Sequence, residues 1–403
     1  MPSSPLPDAD LTTEFAGQRG RLFWLALRTS ILTVLTLGLY RFWMKTRMRR
    51  YYWSSIRPGG VPLEYVGEPL EKLLGFLIAV VLMSFYIGIV NLVLMFASFA
   101  LFHGNTYAYV ISFIGVIPIL FFAQYRARRY VLARTRWRGI RFGVDNAAWG
   151  YAVRALWWWF LTIISLGILW PRKTFALEKY RTDRTWFGSV RLHQGGHPWM
   201  LMNACKHFWI GILLTAIGTA GAYGMTDPAS ALGFGLLAVL GIGWTLFGLA
   251  YWQVDSFRRL TSTKSLGGLR LTARPRPWRI LRHYVLGYGL TLLAVCVLAM
   301  PFIAALIATN TDPTNLFDPL PGAEAAKLRG WLLGAAGVLA YFLVFIFWGV
   351  FRQVFVGLPN MRHYAETLVL QQPLALNAVT QRARDEFAEA EGFADALDLG
   401  AAI

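Results

Sequence analysis

His193 and His197 stand four residues apart, with His207 ten residues further on. On a helix that spacing would set two imidazoles on one face, where they could hold a metal ion. Gly195-Gly196 between them reads as a turn, which breaks that geometry, so exposed loop histidines are the plainer reading. The chain carries no Gly-x-x-x-x-Gly-Lys-Ser/Thr, no His-Glu-x-x-His and no nucleophile elbow. No cofactor, metal or catalytic set is therefore assigned, and the chain does not read as an enzyme. The abundant chemistry is cationic. Arg41, Lys45, Arg47, Arg49 and Arg50 run up to Tyr51, and Arg128 and Arg129 stand together. Arg28 and Arg154 lie inside or at the start of apolar runs. These residues are candidate contacts for an anionic lipid headgroup or an anionic substrate. For Arg28 and Arg154 the alternative is snorkelling to the interface.

The elements that must position these cations are membrane elements. Hydrophobic residues make up 56% of the 403 residues and charged residues 15%, against about 25% charged in soluble domains. The 17 Trp, 17 Tyr and 28 Phe suit rings seated at bilayer interfaces. The net charge of +18 lies between apolar runs. Its expected partner is thus the anionic cytoplasmic leaflet, membrane lipid and not nucleic acid. Cys205 and Cys296 sit far apart, in or beside apolar runs, and read as buried thiols. The leader carries Asp8, Asp10 and Glu14 instead of a basic start, so it is not read as a secretory signal.

Six runs are long and uncharged enough to cross a bilayer, which takes about 20 apolar residues. They are Leu73–Phe102, Tyr107–Tyr125, Phe208–Thr226, Ala231–Trp252, Val285–Ile307 and Gly330–Phe351. None holds an ionisable residue at depth, which weighs against an ion-coupled carrier. Gly218, Gly221, Gly233, Gly235, Gly241 and Gly243 are expected to permit close helix packing. Two further runs, Leu22–Tyr40 and Tyr151–Trp170, both end on Leu-Thr-x-x-x-Leu-Gly. They belong to a wider correspondence. Thr33, Leu37-Gly38, Tyr51, Gln124, Arg129 and Gly139 return 129 residues later as Thr162, Leu166-Gly167, Tyr180, Gln253, Arg258 and Gly268. A fixed offset held this long reads as a duplicated unit.

Charge sets the orientation. Segments 41–72, 124–154, 171–207 and 253–283 are strongly basic, while 103–106, 224–230 and 308–323 hold no Lys or Arg. The positive-inside bias places all four basic segments in the cytoplasm. Two of them flank Tyr151–Trp170, so that run is expected to dip into the membrane or lie along it, as is Leu22–Tyr40. The rival is eight crossings in an inverted repeat, a common transporter plan, which would put about half the basic charge outside.

Each basic segment follows one grammar: an apolar run, a basic helix-like stretch, then a strand-like piece after Gly. The strand-like pieces begin at Gly60, Gly139, Gly188 and Gly268, with a degenerate one at Thr367-Leu368-Val369-Leu370. Alternating apolar and polar residues suit half-buried strands, and three or more strands sharing an apolar face can hold together. A small cytoplasmic sheet is expected; separate basic loops lying on headgroups are the alternative. Thr36-Leu37-Gly38-Leu39-Tyr40-Arg41-Phe42-Trp43-x-Lys45-Thr46-Arg47-x-Arg49-Arg50-Tyr51, extended by Glu64-Tyr65-x-Gly67 and Gly75-Phe76, resembles the YjgN family of bacterial inner-membrane proteins. The resemblance implies a multi-pass bacterial inner-membrane protein whose domain has no known function, and it brings no catalytic residues.

The expected fold is an all-α polytopic membrane protein with an internal duplication: six crossing helices, two re-entrant or in-plane helices and a small cytoplasmic β-strand cap. Its expected parts are a polar leader (1–21), two membrane repeats (22–150 and 151–283), a C-terminal helix pair (284–376) and an acidic tail (377–403), with the C-terminus cytoplasmic. Two functions fit: binding or translocating a small or amphipathic solute, and membrane organisation through anionic headgroups. Either leaves room for a homo-oligomer.

Overall fold

The computed structural model describes residues 9–85, 88, 89, 91–102, 107–308 and 324–382. The expected acidic tail lies outside these residues from 383 onward, as do parts of the Leu73–Phe102 run and residues 103–106 and 309–323. By contacts the chain divides into two compact units. One holds residues 1–16, 52–278 and 364–403, and the other 17–51 and 279–363.

The first unit is organised by β-structure. Its strands are β1 (Leu11–Phe15), β2 (Ile56–Pro58), β3 (Leu63–Tyr65), β4 (Thr135–Trp137), β5 (Ile140–Val144), β6 (Thr185–Phe187), β7 (Val190–Gln194), β8 (Lys264–Leu266), β9 (Leu269–Ala273) and β10 (Leu368–Gln371). They form one antiparallel sheet in the order β2-β1-β10-β9-β8-β7-β6-β5-β4-β3. Apart from β2 and β3, every strand pairs with the next one in sequence, and β1 pairs with β10 through Leu11 opposite Leu370. A flat ten-strand sheet would hold β2 and β3 about 43 Å apart, at about 4.8 Å per strand. The four residues joining Pro58 to Leu63 reach at most roughly 18 Å. The sheet must curl, and only the β2–β3 ladder is missing from a closed barrel.

Alternation explains what fills it. Leu11, Trp137, Phe187, Leu266, Leu269 and Leu370 are buried in one apolar cluster, with Leu63, Ile140, Phe142, Val190, Leu192 and Leu271 packed against it. About eight strands leave an interior that side chains alone can fill. Here the chain after β10 adds Leu376 and Val379 to the cluster. It crosses the tight-turn rim, where a Cβ on Gly188 would meet Thr380 O and Val379, and one on Gly268 would meet Ala375. The tight turns follow from glycine: Gly267 and Gly268 take φ of +55° and +106° between β8 and β9, as a type I′ hairpin requires.

The other connections are helical. In an antiparallel circle the links β1–β2, β3–β4, β5–β6, β7–β8 and β9–β10 all fall at the opposite rim from the tight turns. They carry α1 (Arg19–Leu35) and α2 (Arg41–Ser55); α3 (Pro69–Phe85), α4 (Asn91–Phe102) and α5 (Tyr107–Ala133); and α6 (Ala148–Ile164) and α7 (Trp170–Thr182). Next come α8 (Lys206–Gly224) and α9 (Pro228–Ser262), then α10 (Pro277–Ala308), α11 (Glu324–Arg352) and α12 (Leu358–Glu366). Each excursion leaves and re-enters at adjacent, paired strands. The α6–α7 excursion departs after Val144 and returns at Thr185, and these two residues are register partners. Its two ends therefore meet at one place in the sheet.

The expected count of six crossings and a small strand cap is corrected. Among the described residues three helices are long and apolar enough to cross: Pro228–Ser262, Pro277–Ala305 and Gly330–Glu366. A fourth is added if Pro198–Ala204 is joined to Lys206–Gly224 across a 49° bend. Of the run Leu73–Phe102, the described residues fall in α3 and α4 and at 88 and 89, and residues 86, 87 and 90 lie outside them. The strand element is a ten-stranded near-barrel, not a cap added to an all-α protein.

In the α8–α9 hairpin, glycine allows backbone contact. A Cβ on Gly218 would collide with Ala238, one on Gly221 with Phe234 and one on Gly241 with Thr215, whereas Gly233, Gly235 and Gly243 meet nothing within 4 Å. The second unit packs α1 on α11 through Ala26, Ile346 and Val350. Phe23 also stacks on Phe351 at 6.2 Å. The Tyr51 hydroxyl accepts from Gln18 N and donates to Gln18 O, both at 2.7 Å, fixing the entry to α1.

Candidate functional site

Two turns carry the residues that the sequence singled out. In the first, α1 ends at Thr36 and α2 begins at Arg41. Leu37 N donates to Val34 O, and Gly38 N to Thr33 O at 2.7 Å. In the second, Leu166 N donates to Ile163 O, and Gly167 N to Thr162 O at 2.8 Å. Both are Schellman ends, in which a left-handed residue lets two amides reach back to orphan carbonyls. Glycine normally takes that left-handed position. Here leucine does, with φ +50° at Leu37 and +48° at Leu166, at a cost of roughly 1–2 kcal/mol. A polar side chain completes each turn: Thr36 Oγ1 accepts from Tyr40 N at 2.9 Å, and Ser165 Oγ from Leu169 N at 3.2 Å.

The strained leucines point outward. Leu37 is 95% exposed and Leu166 85% exposed, and Leu35, Leu39, Ile163, Ile164 and Ile168 around them are exposed too. Behind each apolar tip stands an aromatic and cationic collar. Tyr40 stacks on Trp43 at 5.9 Å, with the Arg47 guanidinium 5.7 Å from the Tyr40 ring centre. In the second turn the Lys173 ammonium sits 3.2 Å over Trp159, and the Arg172 guanidinium 5.5 Å from Trp158. Burial lowers the Lys173 ammonium to about 8.

The candidate cations have different surroundings. Arg28, Arg41, Arg47 and Arg50 are exposed on α1 and α2, Lys45 is half-buried and Arg49 buried, while Tyr51 caps α1. Arg154 is exposed, donates to Gly150 O at 3.1 Å and lies 4.7 Å over the Tyr180 ring. Arg128 faces a buried ion cluster: Glu178 accepts from Lys264 at 2.6 Å and Arg181 at 2.7 Å, tying α7 to β8. Burial alone would raise the Glu178 carboxyl, but Lys264, Arg181 and Arg128 hold it well below the usual carboxylate range. Arg129 is buried, donates from Nε to Val144 O at 3.0 Å and lines a cavity of about 600 Å³.

That cavity lies on the outside of the sheet, and sequence reasoning missed most of it. α5 supplies Arg129, the residue after it is Arg134, β4 and β5 supply Arg136 and Arg141, and the segment after β10 supplies Gln381 and Arg382. Glu68, Glu71 and Asp145 are the acidic members. Glu71 accepts from Arg134 at 3.0 Å and from Tyr130 at 2.9 Å. Asp145 accepts from Trp186 Nε1 at 2.7 Å and from Arg191 at 3.0 Å. The histidines are dispersed: His193 lies 3.5 Å from Asp183, and His207 packs among Trp244, Phe247 and Tyr251. No group of metal-ligating side chains occurs among the described residues.

Long apolar helices and exposed leucine tips mark a membrane protein. The chain belongs to the family described as bacterial protein of unknown function (DUF898), whose model matches residues 10–396. It is 28% identical over 152 residues to a protein of Salmonella typhimurium strain LT2 described as inner membrane protein YjgN. That alignment covers 38% of this chain and 34% of the relative, so it spans about a third of that protein's length. The resemblance to the YjgN family seen in the α1–α2 motif holds. No solved structure matches.

Proposed function

We propose that this chain is a non-catalytic membrane-organising protein that binds anionic lipid headgroups at the collars behind its two leucine-tipped turns. One observation carries the reading: a strained left-handed leucine, almost wholly exposed, at the apex of both turns. Exposing leucine to water at a backbone cost is unfavourable twice over, whereas in a bilayer the side chain gains burial. The cations behind the tip then stand at headgroup depth, where each contributes about 1 kcal/mol toward an anionic leaflet. The proposal includes a duplicated unit over 22–150 and 151–283, several passes through the bacterial inner membrane and a cytoplasmic barrel and C-terminus. Solute translocation has less support, because side chains fill the barrel interior and residues 373–379 cover its tight-turn rim.

The test separates membrane contact from folding. Glycine is the preferred residue at this turn position, so Leu37→Gly and Leu166→Gly should leave stability in detergent unchanged or raise it by about 1 kcal/mol. In bilayers containing brominated lipid, the same variants should lose quenching of tryptophan fluorescence. Replacing Arg47, Arg50 and Arg172 by Gln should reduce co-purified anionic lipid; an unchanged lipid content would count against the proposal.

A further inference from the structure

We propose that the cavity outside β4–β6 is a binding site for a phosphate-bearing anion with two or more negative charges, separate from the collars. The register makes the case. Arg136 and Arg141 are direct cross-strand partners in the β4–β5 hairpin. Their neighbours Trp137 and Ile140 belong to the barrel interior, so both arginines stand side by side on the outer face. On its other flank Arg136 faces Glu64 of β3, so two guanidiniums and one carboxylate share this strip of the outer face, and its net positive charge favours an anion. Arg136 Nε is buried and has no hydrogen-bond partner, a cost that a ligand oxygen would remove.

The rest of the wall is already arranged around this pair. Glu71 is occupied by Arg134 and Tyr130, and Asp145 by Trp186 and Arg191. Glu71 and Asp145 are thus engaged by donors other than Arg136 and Arg141, with Arg382 also 3.9 Å from Asp145. The Trp186 ring holds Arg191 and Arg382 at 4.4 Å and 4.5 Å from its centre. That contact orients the Arg382 guanidinium at the cavity edge. Planar forked donors suit phosphate oxygens better than point charges do, and a cavity of about 600 Å³ falls in the range that holds small ligands. A free phosphoanion and a lipid phosphate share this chemistry.

The experiment uses the full chain in nanodiscs, with inorganic pyrophosphate as the probe in calorimetric titration. In phosphatidylcholine discs the wild type should bind pyrophosphate, and Arg136→Gln or Arg141→Gln should each weaken binding at least about tenfold, as loss of a charge-assisted hydrogen bond does. Arg136→Lys should restore only part of the affinity, because an ammonium cannot present the fork. Folding is checked by Tm, which should stay level in the Gln variants. A second arm compares phosphatidic acid retained by the wild type and by the Arg136→Gln/Arg141→Gln double variant. Retention lost in the double variant, with no pyrophosphate binding, would assign the site to a lipid phosphate. No binding of either probe, or equal binding by wild type and double variant, would overturn the site. None of these residues belongs to the leucine turns, so the two proposals fail separately.

Discussion

The α1–α2 turn and the α6–α7 turn share a backbone down to individual hydrogen bonds, yet their flanks differ in charge. Residues 129 apart show where: Arg49 on α2 stands against Glu178 on α7, and Met44 against Lys173. The common part is Thr-x-x-x-Leu-Gly, whose carbonyls and amides close the same Schellman end in both places. The lesson is that the turn geometry needs only those positions, so the flanking helices are free to take on different duties. On α7 the duty is a buried ion cluster that joins the helix to β8.

The largest effect expected on this comparison is at Glu178. Glu178→Gln leaves Lys264 and Arg181 without their buried counter-charge, and should lower stability by about 3–5 kcal/mol. Denaturant unfolding of the purified protein would measure it. Because the Glu178 carboxyl is held below its ordinary value of 4.5, the folded state binds its proton less readily than the unfolded chain does. Its contribution is therefore complete above about pH 4.5 and is lost as pH falls through the lower folded value. The variant should show a flatter loss of stability with acid.

The turns themselves come next. Gly38 and Gly167 take φ of +93° and +88°, but a Cβ on Gly38 meets nothing, while one on Gly167 meets Trp209 at 3.3 Å. Valine at either position should cost about 1–3 kcal/mol through the backbone alone, and Gly167→Val should cost more than Gly38→Val. Equal losses in Tm would show that Trp209 moves aside. The smallest effect is a gain. Burial lowers the Lys173 ammonium to about 8, so the folded state releases a proton that the unfolded state keeps between about pH 8 and 10.5. Wild-type stability should rise with pH across that window. Lys173→Met, matching Met44, should raise Tm at pH 7 and remove that slope.

Local pattern made one layer of this molecule readable. Leu32-Thr33 to Leu37-Gly38 and its counterpart could be paired by offset because turn geometry depends on residues within one or two helical turns. The strand-like pieces after Gly139, Gly188 and Gly268 were readable for a similar reason: two-residue hairpins need positive φ there. The strand Leu11–Phe15 was hidden in what reads as a polar leader, and its partners Leu368–Gln371 lie more than 350 residues away in sequence. Strands as short as Ile56–Pro58 and Leu63–Tyr65 carry too few residues to show a period. The cavity was hidden likewise, since Arg129, Arg136, Arg141 and Arg382 are ordinary members of a basic chain until the register selects a face.

The sequence by itself determined that the chain is a membrane protein, where its apolar excursions run and how its two leucine turns close. Apolarity, glycine φ and helix capping are all decided by neighbouring residues. Tertiary structure alone decided that ten short strands join into one near-barrel, that both ends of the α6–α7 excursion return to one sheet, and that Arg136 stands beside Arg141. Those outcomes depend on which distant backbone groups pair, and a one-residue change of register would turn each of these side chains to the other face.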